Sequence, residues 1–495
     1  MSVTTAHADQ AAPSLRALLP VWVGAAIYAL FVLAGNRLLL DPDTLWQITV
    51  GQWIIDHRAV PTEDVYSFTM HGQPWISTQW LAQVMYAAAF ALAGWAGPVV
   101  LAATAIATTF ALLARFVSRR LPESATLVSV AAALALTVPH AFARPHVLAL
   151  PLLVAWAAGL TGAADRREAP SWWLLPVMTL WANIHGGFVF GLVLTGGLAL
   201  DAIWKADASA QKKLLLRWFL FGVAAVAASC ITPYGWDALL ASQKILSLGE
   251  ALPLIREWRA ADFSSVGPFE VCLLLGMGLA LYHGIRLPLM RIVLLLGLVH
   301  MALAQGRAAE ILALLAPMLL AGPLARQMAG PNAAAAPASP HRAALVACLA
   351  VALAAGTVAY ASVQRFEPHM HGSPVAAVTE LKKLNLKRVL NDYDFGGYLI
   401  SRGVATFIDG RTELYGEKFF VDHNAASGLM EPDNLFRLLK QYDIEATILR
   451  TQSAATKLLD HIDGWQKVYS DGIATIHLRK SGAVHTAEPA VSATR

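Results

Sequence analysis

Apolar runs of membrane length alternate with short polar interruptions as far as residue 363. They fall near 17–39, 97–118, 124–139, 146–163, 171–184, 187–204, 214–232, 268–284, 288–304, 308–325 and 343–363. Each reads as a helix able to span a hydrocarbon core. A further run, "WLAQVMYAAAFALAGWAG" from Trp80, decides the topology. If 80–95 crosses fully, the basic clusters at 115–120, 165–168 and 211–217 emerge outside, against the positive-inside bias. If it lies on the membrane or dips into it, all three fall in the cytoplasm, together with those at 283–291 and 325–342. The pattern predicts an α-helical polytopic membrane protein of about eleven transmembrane helices plus one interfacial or re-entrant segment.

On this topology the tail 1–16 is cytoplasmic, the transmembrane domain covers 17–363, and 40–79 is the first external loop. Six interruptions then share the external side: "DPDTLW" at 41–46, "AFARPH" at 141–146, "NIHGG" at 183–187, "TPYGW" at 232–236, "REWR" at 256–259 and "QGR" at 305–307. They can line one cavity. From 364 to 480 the chain turns polar. "PVAAVTELKKL" and "NLFRLLKQY" read as helices, and "RVLN", "ATFID", "EATILR" and "GIATIHLR" as strands. That predicts a small external α/β domain, large enough to bury its own core. The stretch 329–340 reads as a low-complexity linker and 481–495 as a disordered tail, and no internal repeat is visible.

Composition agrees with the pattern. Of 495 residues 57% are apolar and 14% charged, with a net charge of +4. The basic residues sit in short clusters between apolar runs and leave no nucleic-acid footprint. Cys230, Cys272 and Cys348 all lie in apolar runs without a partner at ligand spacing, so they read as packing residues. The apolar run after Arg16 is too long for a signal-peptide core, so it reads as an uncleaved first helix.

Candidate chemistry concentrates where helices surface. Asp41 and Asp43 stand beside Trp46 at a water–membrane boundary. Partial desolvation there raises a carboxyl towards the range of a general base. The pair can equally hold a divalent cation, Mg or Mn, or cap the following helix. Arg144 and His146 lie between two apolar spans, where charge faces a polar cavity or snorkels to the surface. Arg suits a phosphate. His185 has apolar neighbours on both sides and reads as a packing residue or a direct participant. Glu257 and Trp258, between Arg256 and Arg259, offer a platform for a sugar ring, although interfacial Trp belts have the same composition. Trp46 and, in "TPYGW", Tyr234 are further candidates for sugar or acceptor contact. Arg307 either pairs with Glu310 one turn later or meets a lipid phosphate. In the polar domain, Asp409 and Arg411 follow a predicted strand in "FIDGRTELYG", where ligand sites and Asp-Gly turns are both common. Phosphate-cradling loops, nucleophile triads and zinc spacings are missing from the sequence.

The segment "LDPDTLWQITVGQWIIDHRAVPTEDVYSFTMHGQPWISTQWLAQ", the long first loop, the many helices and the small external domain together resemble the C-type (GT-C) glycosyltransferase superfamily. "DPDTLW", "TLWANIHGGFVFG", "TPYGW" and "NDYDFGGYLI…FIDGRTELYG" are more closely similar to bacterial multi-pass proteins described as glycosyltransferase-like. The resemblance implies an inverting transfer from a polyprenyl-phosphate sugar to a glycan, glycolipid or protein acceptor of the cell envelope. It implies a first-loop Asp as base, Asp43 or Asp41, with basic residues such as Arg144, His146, His185 and Arg307 holding the lipid phosphate. The implied location is the bacterial inner membrane, with the N-terminus cytoplasmic and the C-terminal domain periplasmic. This chain lacks the Asp-Glu pair of several transferases. Two other classes stand beside this reading: a transporter or flippase for a lipid-linked substrate, and a non-catalytic envelope-assembly protein.

Overall fold

Runs of Ala, Leu and Val become helices, and Gly, Pro and charged residues mark where they stop. In the computed structural model, residues 15–246, 248–328, 340–368 and 373–480 are described. The tail 481–495, the linker up to residue 339 and residues 1–14 of the N-terminal tail lie outside them. The described chain forms two compact units.

The first unit comprises 15–60, 76–246 and 252–368. It is helical: α1 Leu15–Leu33, α2 Gly35–Leu38, α3 Asp43–His57, α4 Trp80–Ala93, α5 Ala96–Ser118, α6 Glu123–Thr137, α7 Pro145–Arg166 and α8 Leu175–Ile184. It continues with α9 Phe188–Trp204, α10 Ala208–Ser229, α11 Asp237–Leu246, α12 Pro268–Tyr282, α13 Leu289–Ala304, α14 Ala308–Gln327 and α15 Pro340–Val363. α7 is the central element, packed on α5, α8, α9 and α14. Its fully buried Trp156 donates to the Gly191 carbonyl at 2.9 Å and stacks on Phe221 at 5.6 Å between ring centroids. That contact ties α9 and α10 to the core.

By length and composition five of these segments can cross a membrane: Ala96–Ser118, Glu123–His140, Pro145–Arg166, Ala308–Gln327 and Ala343–Val363. Five more apolar helices are shorter, including Trp80–Ala93 and Pro268–Tyr282. At 1.5 Å per residue, α4 and α12 each span only about 21–23 Å of a core about 30 Å thick. Length therefore does not separate the expected interfacial segment from the expected crossings. α8 has 10 residues and α10 carries Lys212, Lys213 and Arg217, so the count of eleven rests on the charge pattern.

Opposite ends of the bundle carry charge. Near the end of α7, Asp165 meets Arg291 of α13 at 2.6 Å, and Arg291 also donates to Asp201 of α9 at 2.9 Å and to the Leu319 carbonyl at 2.7 Å. Arg291 is fully buried, and Lys205 and Arg120 complete the group. Between the two ends, residues 147–163 of α7 contain no charged side chain.

The second unit comprises 61–75, 248–251 and 373–480. Its sheet has the order β1-β2-β4-β3, from β1 Val389–Asn391, β2 Ala446–Arg450, β3 Trp465–Ser470 and β4 Ala474–Arg479. β1 and β2 are parallel and the other pairs antiparallel. The helices are α16 Val375–Lys383, α17 Gly396–Ser401, α18 Thr412–Gly428, broken at Gly416 (φ 75°), α19 Pro432–Gln441 and α20 Ala454–Leu459. The expected strand "ATFID" is not one. The Asn391 side chain supplies the hydrogen bonds that a neighbouring strand would supply, donating to the Ile408 carbonyl at 2.8 Å and accepting from Phe407 N–H at 2.7 Å. A single parallel bridge then joins Thr406 to Ser67 of the first loop.

Candidate active site

The Asp-Pro-Asp turn starts α3. Asp41 Oδ1 accepts the Asp43 N–H at 2.9 Å, an Asx turn that sets the helix start and leaves Oδ2 free to reach elsewhere. Two bonds hold this turn to the loop before α7: Ala143 N–H to the Leu38 carbonyl at 2.7 Å, and Thr44 Oγ1 to the Ala143 carbonyl at 3.0 Å. Arg144 comes next, extended because Pro145 follows it, and Tyr86 donates to its carbonyl at 3.0 Å.

The Arg144 side chain collects three carboxylates. Nη1 reaches Asp41 Oδ2 at 3.0 Å and also bonds Glu257, while Nη2 reaches Asp43 Oδ2 at 2.5 Å. Glu257 bridges onward to Arg307 at 2.7 Å. The loop carrying Glu257 lies along the start of α14, where Gly306 N–H donates to the Arg259 carbonyl at 2.8 Å. Arg307 therefore pairs with Glu257 rather than with Glu310. Four of the six polar interruptions meet directly here.

Charge balance in this network is uneven. Burial pushes the Asp43 carboxyl up to about 7, against the pull of Arg144 and with the push of Asp41 and Glu257. Burial also favours the neutral form of Glu257, but Arg144 and Arg307 outweigh it and hold that carboxyl down at about 2. One carboxylate is thus poised to take a proton near neutrality while its neighbour stays ionised.

The remaining candidates are placed as follows. Trp46 is buried on α3 and directs its indole towards Asp43. His146 lies in the first turn of α7, and His185 ends α8; both lie within electrostatic reach of Arg144 and Arg307. Burial and the two arginines push His185 down to about 3, so it is uncharged at neutral pH. Trp258 follows Glu257 in the same short turn. The Tyr234 hydroxyl accepts the Ser77 N–H at 3.3 Å.

Asp409 and Arg411 belong to the second unit and are buried there. Arg411 donates to Asp409 at 2.7 Å and to Asp64 at 2.5 Å, and its guanidinium lies 4.7 Å from the Trp75 ring and 5.3 Å from the Tyr66 ring. Tyr415 donates to Asp409 at 2.7 Å. Asp64 was missed in the sequence. Its only local signal is the Asx turn through which it accepts from Tyr66 and Ser67.

Asp41, Asp43 and Glu257 each direct an oxygen at the Arg144 guanidinium, so a divalent cation held by Asp41 and Asp43 would compete with Arg144 for those oxygens. Among the described residues no group of three His, Cys, Asp or Glu is arranged to hold a metal ion.

No protein-family model and no curated protein sequence matches the chain. Among solved structures, ArnT from Cupriavidus metallidurans, crystallised bound to undecaprenyl phosphate, matches 96% of this chain and 100% of its own, with 12% identity and a TM-score of 0.50. The chain shares the fold of that structure. The oligosaccharyltransferase of Archaeoglobus fulgidus in the apo form is similar over 94% of this chain and 75% of its own, with 10% identity and a TM-score of 0.48. The archaeal oligosaccharyltransferase AglB from the same organism, solved with an inhibitory peptide and a dolichol-phosphate, aligns with a TM-score of 0.46. Within this fold the charged network lies at the helix ends, where several loops converge.

Proposed function

We propose that the chain is a membrane glycosyltransferase that moves a sugar, with inversion, from a polyprenyl-phosphate donor to an envelope glycan, glycolipid or protein acceptor. The observation that carries this reading is the capture of Asp41, Asp43 and Glu257 by one guanidinium, with Arg307 beside them. Loops distant in sequence converge on one acidic and one basic function, as in-line displacement of a phosphate requires.

Asp43 is the base. It takes the proton of an acceptor hydroxyl, whose oxygen bonds to the anomeric carbon as the bond from that carbon to the phosphate oxygen breaks. The electron pair leaves with the polyprenyl phosphate. Arg144 already serves three carboxylates, so it acts as the holder that aims Asp41 and Asp43. Arg307, with Glu257 as its ion-pair partner, is the residue that meets the leaving phosphate. The apolar stretch 147–163 of α7 counts against a polar path through the bundle and so against the transport reading.

The same proposal places the network on the external face of a bacterial inner membrane. The basic loops are then cytoplasmic and the α/β unit periplasmic.

The test is transfer from a panel of radiolabelled polyprenyl-phosphate sugars by wild type, Asp43→Asn, Asp41→Asn and the double variant, with thermal stability measured in parallel. Transfer lost in a stable Asp43→Asn protein is the expected result. Transfer retained in all three variants rules out this base, and no transfer by wild type from any donor rules out the transferase.

A further inference from the structure

Two histidines beside the charged network have hydrogen bonds that fix their protons. His146 is 7% exposed, and its Nε2 lies 2.9 Å from the His140 carbonyl oxygen. A carbonyl only accepts, so Nε2 carries the proton. In the neutral ring Nδ1 is then a lone pair, and that atom is buried without a hydrogen-bond partner among the described residues. His185 is fixed the other way. Its Nδ1 accepts the Gly187 N–H at 3.0 Å, which puts the proton on Nε2.

Trp181 of α8 adds a third group. It is 3% exposed, and its indole N–H is buried without a partner among the described residues. A Cβ at Gly187 would stand 2.9 Å from His185 Nδ1 and 4.0 Å from Trp181 Nε1, so the imidazole and the indole flank one glycine turn. Buried polar atoms without partners are uncommon, because each carries a desolvation cost until something bonds it.

These atoms offer one acceptor and two donors, all uncharged. A phosphate oxyanion only accepts, and it would set its lone pairs against that of His146 Nδ1. A sugar hydroxyl both donates and accepts, and matches all three. We propose that His146, His185 and Trp181 form the subsite that reads hydroxyls of the donor sugar, while Arg307 takes the phosphate. This rests on the transferase reading and redirects both histidines from the lipid phosphate to the sugar. Discrimination follows from the same physics: a donor lacking the matching hydroxyl leaves buried polar groups unpaired.

The experiment compares binding of bare polyprenyl phosphate with binding of polyprenyl-phosphate sugars by wild type, His146→Ala, His185→Ala, Trp181→Phe and Arg307→Gln in lipid nanodiscs. Trp181→Phe keeps an aromatic side chain while removing the indole N–H, and thermal stability measured in parallel guards against misfolding. Wild type is expected to prefer one sugar-bearing lipid. The His and Trp variants should lose that preference by about 10-fold while binding the bare lipid normally, and Arg307→Gln should weaken both lipids. Equal loss of both lipids in the histidine variants would assign them to the phosphate and overturn the proposal. A wild type that binds bare lipid and gains nothing from any sugar would overturn it while leaving the lipid-phosphate reading intact. Capture of neither lipid by wild type would overturn both.

Discussion

Asp43 Oδ2 lies 2.5 Å from Arg144 Nη2, and the same guanidinium holds Asp41 and Glu257. Burial at this point sets a carboxyl at about 7. A base acts only when ionised, so transfer should rise with pH through about 7 and level off above it. Asp43→Asn should lower kcat by about 10²- to 10⁴-fold and abolish that limb. The stability effect has the opposite sense. A carboxyl whose folded value is raised binds its proton more tightly in the folded chain, so its contribution is complete at acid pH and is lost as pH rises through about 7. Rate and thermal melting measured across pH 5–9 test both signs, pH 5–9 being roughly the range centred on that value.

Glu257 links the two arginines and adds to the negative charge felt by Asp43. Glu257→Gln removes that charge, so the acid limb of the rate should move to lower pH. Arg144→Gln removes the opposing positive charge and should move the limb to higher pH. A limb that stays at one pH in both variants would mean that Asp43 is not the titrating base.

The helices were largely legible because Ala, Leu and Val runs leave few alternatives to a buried or lipid-facing helix. α7 and α14 lie close to their expected bounds. β3 was not legible, because Trp465–Ser470 is mostly exposed and carries little alternation. Residues 405–409 look like a strand, but the partner of their backbone is the Asn391 side chain, which no periodicity reveals. The site was legible as types and as a shared face, since charge at a helix end stands out in an apolar chain. Its wiring was not. Arg307 has Glu310 one turn away in sequence, yet it pairs with Glu257 fifty positions earlier.

Arg411 and Asp64 form an ion pair that is fully buried within the α/β unit, with Asp409 on the other side of the guanidinium. Arg411→Met would leave two carboxylates buried without their cation. It should cost about 3–5 kcal/mol of stability in that unit. Arg411→Lys should not restore it, because an ammonium lacks the planar fork that serves two carboxylates and rests against two aromatic rings. Thermal unfolding of the full chain in detergent checks this, and an unchanged melting temperature for Arg411→Met would contradict it.

The two charged ends of α7 also make the proposed orientation measurable. Arg144 and Asp165 are separated by about 31 Å of helix, close to the thickness of a hydrocarbon core. Arg144 belongs to the network of candidate site residues, and Asp165 lies at the end where Arg120 and Lys205 gather. Ser264 is exposed in the loop after Glu257, and Ser209 is exposed beside Lys205 at the other end. In a chain whose three cysteines are replaced by Ala, Ser264→Cys should react in intact cells with a thiol reagent that penetrates the outer membrane and not the inner. Ser209→Cys should react only after the inner membrane is opened. The reverse pattern would put the acidic network in the cytoplasm, where basic loops would face outward against the positive-inside bias, and the donor would have to be presented from the inner leaflet.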